Sequence, residues 1–459
     1  MSFKDKPLNI KHKKVVLSNQ AMLPQSASRS FIPCWIELVS HYLLCRMTTS
    51  SKAMAPRCYF DIRYARLETV KTSVQGIDRY VMIIGNGKVY ENFHFEQEDV
   101  LVKWVNALAS HCILGHLDKY FKSCQLTHTA KSLISEGSYG NIIIAEDVAD
   151  TGCRVAVKSY LSDELARKLR PNRTKKNDPG DLAIDEVKAL RKLAGAPRIL
   201  NLRAVFEEPG YKILVTEYLE GGDLFTHMKR NNEVVNWREA LELTREILLA
   251  LTQLEAQKIV HRDIKFGNLA LKYADGSYNL VLIDFGFAVF HEEYRRAGTY
   301  PKIYGTIGYY APEILAMREM FDCRADVYSA GLVFFSMLSG ESAFSYFNRD
   351  DCIRRNTLGM INWEALKERF TGQKIPPSVH HLLLSMLQFD KEKRPYASQL
   401  INHEAFQLLR IAQVVPHPRR NPNYKSIVSL EEDEAFFVTK ENEEEVSQIS
   451  KSSYKELEK

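Results

Sequence analysis

Eight residues, His261-Arg-Asp-Ile-Lys-Phe-Gly-Asn268, followed by Asp284-Phe-Gly286, constrain this 459-residue chain more than anything in its composition. Asp263 is a carboxylate able to orient and deprotonate a hydroxyl, and Lys265 a cation able to neutralise charge on a transferring group. Asn268 supplies a neutral oxygen of the hard type that Mg²⁺ prefers. Asp284, on a turn after the apolar run Leu280–Ile283, supplies an anionic one. Gly305-Thr306 and Ala311-Pro-Glu313 then bound a segment rich in Gly, Thr and Tyr. A base, a cation and two cation ligands spread along the chain have a common use only if the fold gathers them.

Upstream, Gly137-Ser-Tyr-Gly140 joins two strand-like runs, and its glycines let backbone N–H groups close over phosphates. Val155-Ala-Val-Lys158 ends a strand, and Glu186 opens a helical register with Val187, Leu190 and Leu193. Singly, each has a plain reading. A short Gly hairpin is a simple turn by ~10 to 1, a strand Lys is a solvated edge residue ~9 times in 10, and such a Glu is a surface charge. In this order, however, the set resembles the protein-kinase signature over residues 126–412, and chance assembly of all of it falls below ~1 in 1,000. Asp326 and Gly331 in ADVYSAG and Arg394 in KRPYAS extend the match.

The resemblance implies an α+β, two-lobed protein kinase fold with a β-rich N-lobe and a helical C-lobe, using ATP and Mg²⁺ on protein Ser/Thr substrates. It implies that Gly137 and Gly140 cover the phosphates and that Lys158, held by Glu186, contacts them. Ile142 and Ala156 would lie against the nucleotide, with Ala270 beneath the adenine. Thr216 would guard the pocket, Glu217 and Leu219 form the hinge, and Asp223 lie near the ribose. Asp263 is then the base, assisted by Lys265 and Thr306, with Asn268 and Asp284 on the metal. Lys265 and Thr306 follow the serine/threonine branch. Three positions depart from the family pattern: Ser135 replaces a glycine, Phe266-Gly267 replaces Pro-Glu, and Ala270 replaces Leu. Arg262 implies control by a phosphate on the activation segment. Lys302 stands where many relatives carry phospho-Thr, so Thr299 is the expected site, with Tyr300 and Tyr304 as neighbouring candidates. The rival reading is a catalytically silent kinase-fold scaffold. All of Lys158, Glu186, Asp263, Asn268 and Asp284 being present favours the enzyme.

Residues 1–122 read differently. Strand-like runs, a Gly85-Asn86-Gly87 hairpin signal and a helix with Trp104 describe a small β-barrel or sandwich capped by a C-terminal helix. With Phe93 and Phe95 on a late strand, this resembles a pleckstrin-homology domain. Members that bind phosphoinositides grip them with basic residues. Lys11, Lys13 and Lys14 are available, while Pro33 and Cys34 leave the second half of that clamp absent. Residues 1–125 hold 17 Lys and Arg against 10 Asp and Glu, although the whole chain is only +5. The expected partner of this part is therefore anionic membrane lipid or a protein, with no nucleic acid, and the expected location is cytoplasmic or peripheral at a membrane. Residues 413–459, with EEDE and ENEEE, read as a flexible acidic tail. At ~150 residues per domain the length allows roughly three units. Eight scattered cysteines without a C-x-x-C pair indicate reduced thiols rather than a disulfide frame or zinc site. No run reaches the ~18 apolar residues of a membrane span, and the polar, basic start lacks the apolar core of a secretory signal.

Overall fold

The computed structural model describes residues 15–123 and 133–411, apart from 47–57, 162–178 and shorter internal stretches, together with 437–438 and 448. Two compact units emerge: Met1–Ala166 with Leu202–Tyr218, and Arg167–Asn201 with Leu219–Lys459.

The first unit is built on one sheet. Its strands are β1 (Val15–Pro24), β2 (Phe31–Val39), β3 (Tyr42–Arg46), β4 (Cys58–Asp61), β5 (Arg66–Val74), β6 (Ile77–Gly85) and β7 (Tyr90–Phe95). Helix α1 (Glu98–Leu108) follows, then β8 (Ile113–Leu114), β9 (Phe121–Ser123), β10 (Leu133–Gly137), β11 (Gly140–Asp147), β12 (Arg154–Leu161), β13 (Leu202–Glu208) and β14 (Tyr211–Glu217). The spatial order is β10-β11-β12-β14-β13-β8-β5-β6-β7-β1-β2-β3-β4, with β9 beside β11. In α1 the apolar residues recur at i, i+3, i+4 and i+7. Leu101, Trp104, Val105 and Leu108 are all buried as a result.

Among the described residues of 1–122, the sheet expected to form a barrel or sandwich is not closed. β4 pairs with β3, and the free edge of β5 is taken by β8, which runs parallel to both β5 and β13. β8 takes the start of that edge, at Arg66 and Leu67, and among the described residues β4 has no partner besides β3. The physical consequence is a single core. Trp104, Leu108 and Leu114 belong to the same buried cluster as Val155, Val157, Phe206 and Val215. At the surface Arg66 bridges to Glu207 at 2.7 Å.

The second unit is mainly helical. It holds α2 (Pro179–Lys192), α3 (Leu224–Arg230), α4 (Trp237–Ala256), α5 (His291–Ala297), α6 (Pro312–Ala316) and α7 (Arg324–Ser339). Beyond them lie α8 (Arg349–Leu358), α9 (Trp363–Arg369), α10 (Pro377–Met386) and α11 (Ala397–Leu400). Short strands punctuate them: β15 (Ile259–Val260), β16 (Leu269–Ala274), β17 (Ser277–Leu282), β18 (Val289–Phe290), β19 (Gly305–Thr306) and β20 (Phe437–Val438). α4 starts where Asn236 Oδ1 accepts the Glu239 N–H at 2.9 Å. α7 is buried along its whole length and stops at Gly340, whose φ of 74° is the left-handed cap. These two helices form the floor from which the loops after β15 and β17 project.

Candidate active site

In the first unit, register decides which residues share a face. Ile142 lies opposite Lys158, Ile144 opposite Ala156, and Ala156 opposite Thr216. Cross-strand partners point to the same side and alternate residues return to it. Ile142, Lys158, Ala156 and Thr216 therefore line one face, with Gly140 at its end. The intervening residues Val155, Val157 and Val215 fill the core on the other. Lys158 Nζ sits 5.2 Å from the Tyr160 ring centroid. Gly137 and Gly140 are paired across the β10–β11 hairpin. Glu217 ends β14, and its carbonyl accepts from Thr216 Oγ1 at 3.3 Å.

In the second unit the loop from His261 to Asn268 converges on one carboxylate. Thr306 Oγ1 donates to Asp263 Oδ1 at 2.7 Å, and Lys265 Nζ donates to Thr306 Oγ1 at 3.0 Å. Lys265 Nζ also stands 3.6 Å from Asp263 Oδ2. Asn268 Nδ2 donates to both Asp263 Oδ2 and the Asp263 carbonyl, each at 2.8 Å. All four side chains are buried. Committing the amide nitrogen of Asn268 to Asp263 leaves its oxygen available as an acceptor; with the Asp284 carboxylate it would supply oxygen donors of the hard type.

The loop is held by residues behind it. Asp326 accepts the backbone N–H of His261 at 2.7 Å and of Arg262 at 2.9 Å. Those bonds secure Arg262 at φ 69°, while Asp284 sits at φ 60°, and non-glycine residues there mark a site stabilised from outside. Burial pushes the Asp326 carboxyl up to about 7, against the pull of the two N–H donors. Burial also lowers the His261 imidazole below its usual range. The neutral ring donates Nε2–H to the Ile283 carbonyl at 3.1 Å and accepts the Asp263 N–H at Nδ1, 3.3 Å away. Phe285 packs edge-on against it at 4.8 Å.

Other expected residues fall into place with different emphasis. Asp223 and Ala270 are joined by an isolated bridge, but the Asp223 carboxylate is already used as a cap, accepting the Thr226 N–H at 2.6 Å. Leu219 accepts from the Gly222 N–H. Glu186 is 1% exposed on α2, beside Val187 and Leu190. Phe266 is fully buried as core. Arg262 Nε donates to the Phe287 carbonyl at 2.6 Å, and its guanidinium lies 5.6 Å from the Tyr304 ring centroid. Thr299, Tyr300 and Lys302 lie outside the described residues, as do Lys11, Lys13 and Lys14. The part played by Asp326 in fixing the loop backbone is visible only in three dimensions, although the ADVYSAG match had marked the residue.

A family model described as protein kinase domain matches residues 128–406. Calcium-dependent protein kinase 12 of Oryza sativa subsp. japonica is 29% identical over 275 residues, covering 59% of this chain and 47% of that protein. Putative ribosomal protein S6 kinase alpha-2 of Caenorhabditis elegans is 26% identical over 361 residues, covering 76% and 43%. Probable serine/threonine-protein kinase 2 of Plasmodium falciparum is 30% identical over 221 residues, covering 48% and 41%. The chain thus spans about half the length or less of these curated relatives.

Proposed function

This chain belongs to the protein kinase family, and from that premise we propose that it is an active serine/threonine kinase, passing the γ-phosphoryl group of ATP to protein hydroxyls with Mg²⁺. The observation that carries the reading is the buried network of Asp263, Thr306, Lys265 and Asn268. Each Asp263 oxygen accepts one of these donors and keeps a lone pair for an incoming hydroxyl proton. Thr306 fixes the carboxylate against rotation, and Lys265 places positive charge beside it, where negative charge grows during transfer. Bound Mg²⁺-ATP supplies the phosphoryl group and neutralises its charge. Asn268 and Asp284 would hold the metal, while the Gly137–Gly140 hairpin and Lys158 would meet the phosphates. A silent scaffold has no use for a complete set of these groups, and the relatives named as serine/threonine or calcium-dependent kinases support activity.

For residues 1–122 the reading is a pleckstrin-homology-like surface that recruits the kinase, from the cytoplasm, to an anionic membrane or a protein partner. The excess of basic residues there and the order of seven strands and a helix support it.

The decisive test is transfer from labelled ATP to a generic basic protein. Asp263→Asn keeps the shape and loses the base, so the rate should fall by ~10²–10⁴ with nucleotide affinity retained. Undiminished turnover in that variant would remove the base role.

A further inference from the structure

Three stretches of the second unit meet at one guanidinium. Arg262, the residue before Asp263, is only 7% exposed. Burial disfavours its charged form, and the Asp185 carboxylate of α2 works against that. A buried cation persists only where partners compensate it. Its Nε donates to the carbonyl of Phe287, in the segment that follows Asp284, at 2.6 Å. The guanidinium also lies 5.6 Å from the Tyr304 ring centroid, within cation–π range. The Tyr304 ring in turn stacks on that of Phe287, with centroids 5.7 Å apart and planes 24° from parallel. Tyr304 leads into Gly305 and Thr306, whose hydroxyl donates to Asp263. That passage is tight: Gly305 has φ 134°, and a Cβ there would stand 2.5 Å from the Arg262 carbonyl oxygen.

Tyr304 thus clamps the turn before Asp263 to the segment after Asp284 and to the strand that carries Thr306. We propose that Tyr304 is a positioning residue whose ring holds Arg262 in place of the activation-segment phosphate that the resemblance implies, so that transfer proceeds with no phosphate on Thr299, Tyr300 or Tyr304. This rests on the kinase reading above. Both contacts are made through the face of the ring, so phenylalanine serves there as well as tyrosine. With Nε committed to Phe287, the guanidinium edge that pairs Nε with a terminal nitrogen is closed to a bidentate anion. An aromatic face compensates a buried cation without the cost of desolvating a dianion beside it. Held at its side chain by Tyr304 and Phe287 and at its N–H by Asp326, Arg262 fixes the direction in which the chain enters Asp263.

The test uses the full chain with Mg²⁺-ATP and protamine. The triple variant Thr299→Ala, Tyr300→Phe, Tyr304→Phe removes these acceptor hydroxyls and keeps the ring, so kcat should stay within about twofold of wild type. Tyr304→Leu removes the ring, so kcat should fall about tenfold while KM for ATP stays within about twofold. Amide hydrogen exchange at His261–Asp263 should become faster in Tyr304→Leu and match the wild type in the triple variant. A loss of about tenfold in kcat in the triple variant would overturn the proposal, because a hydroxyl or its phosphate would then be needed. Undiminished kcat in Tyr304→Leu would overturn the positioning role, as would a raised KM for ATP with kcat unchanged. No transfer by any form, wild type included, would overturn the kinase reading instead.

Discussion

At the scale of single residues, the centre of the second unit depends on a carboxylate that does no chemistry. Asp326 ties down the N–H groups of His261 and Arg262, and so holds the backbone turn that presents Asp263. Its folded-state ionisation is raised by burial to about 7 from an ordinary 3.8. The folded form therefore holds a proton that the unfolded form has already released. The stabilisation from this linkage is complete below about 4 and is lost as pH rises through about 7. The expected result is a urea midpoint that declines between pH 5 and pH 8 by more in the wild type than in Asp326→Asn. Parallel pH profiles for the two proteins would show that Asp326 ionises normally.

Among elements, one buried tie is ionic. Arg394, fully buried on the turn before α11, makes a bidentate pair with Glu313 of α6 at 2.6 and 3.1 Å. It also donates to the carbonyls of Gln388, Arg324 and Phe389. Such a pair adds little over an apolar replacement, but breaking one side strands a buried charge. Arg394→Ala is therefore expected to lose about 3–5 kcal/mol in urea unfolding. The double variant Arg394→Met, Glu313→Leu should recover part of that loss, because it removes both charges. Equal loss in the single and double variants would assign the effect to the three carbonyls instead. Both Glu313 and Arg394 were marked in the sequence as motif residues. The apolar surroundings that make their pairing costly to break were not, because burial is a property of the assembled helices.

On the scale of the whole molecule, the first unit behaves as one sheet and one core rather than as a barrel followed by a lobe. Trp104 is 0% exposed in a cluster shared with Phe206 and Val215. Replacing it by Ala should cost about 3–5 kcal/mol. Because the core is continuous, hydrogen exchange should speed up in β11–β14 as well as in β1–β7. Protection in β11–β14 left at wild-type level would separate the two halves. Two residues, Ile113 and Leu114, make the join, and nothing in a dipeptide of ordinary apolar residues marks it as a strand shared by β5 and β13.

The order of motifs by itself pointed to the proposed chemistry, since a carboxylate, a cation and hard oxygen donors keep their character wherever they fold. Strand alternation and helical spacing likewise identified β11, β12, β14 and α1, because those signals are local. The join at β8, the open sheet, the support from Asp326 and the pairing of Phe437–Val438 with Gly305–Thr306 were decided only by tertiary structure. Each is a hydrogen bond or contact between residues far apart in the chain, and no local preference encodes which distant edge a strand will meet.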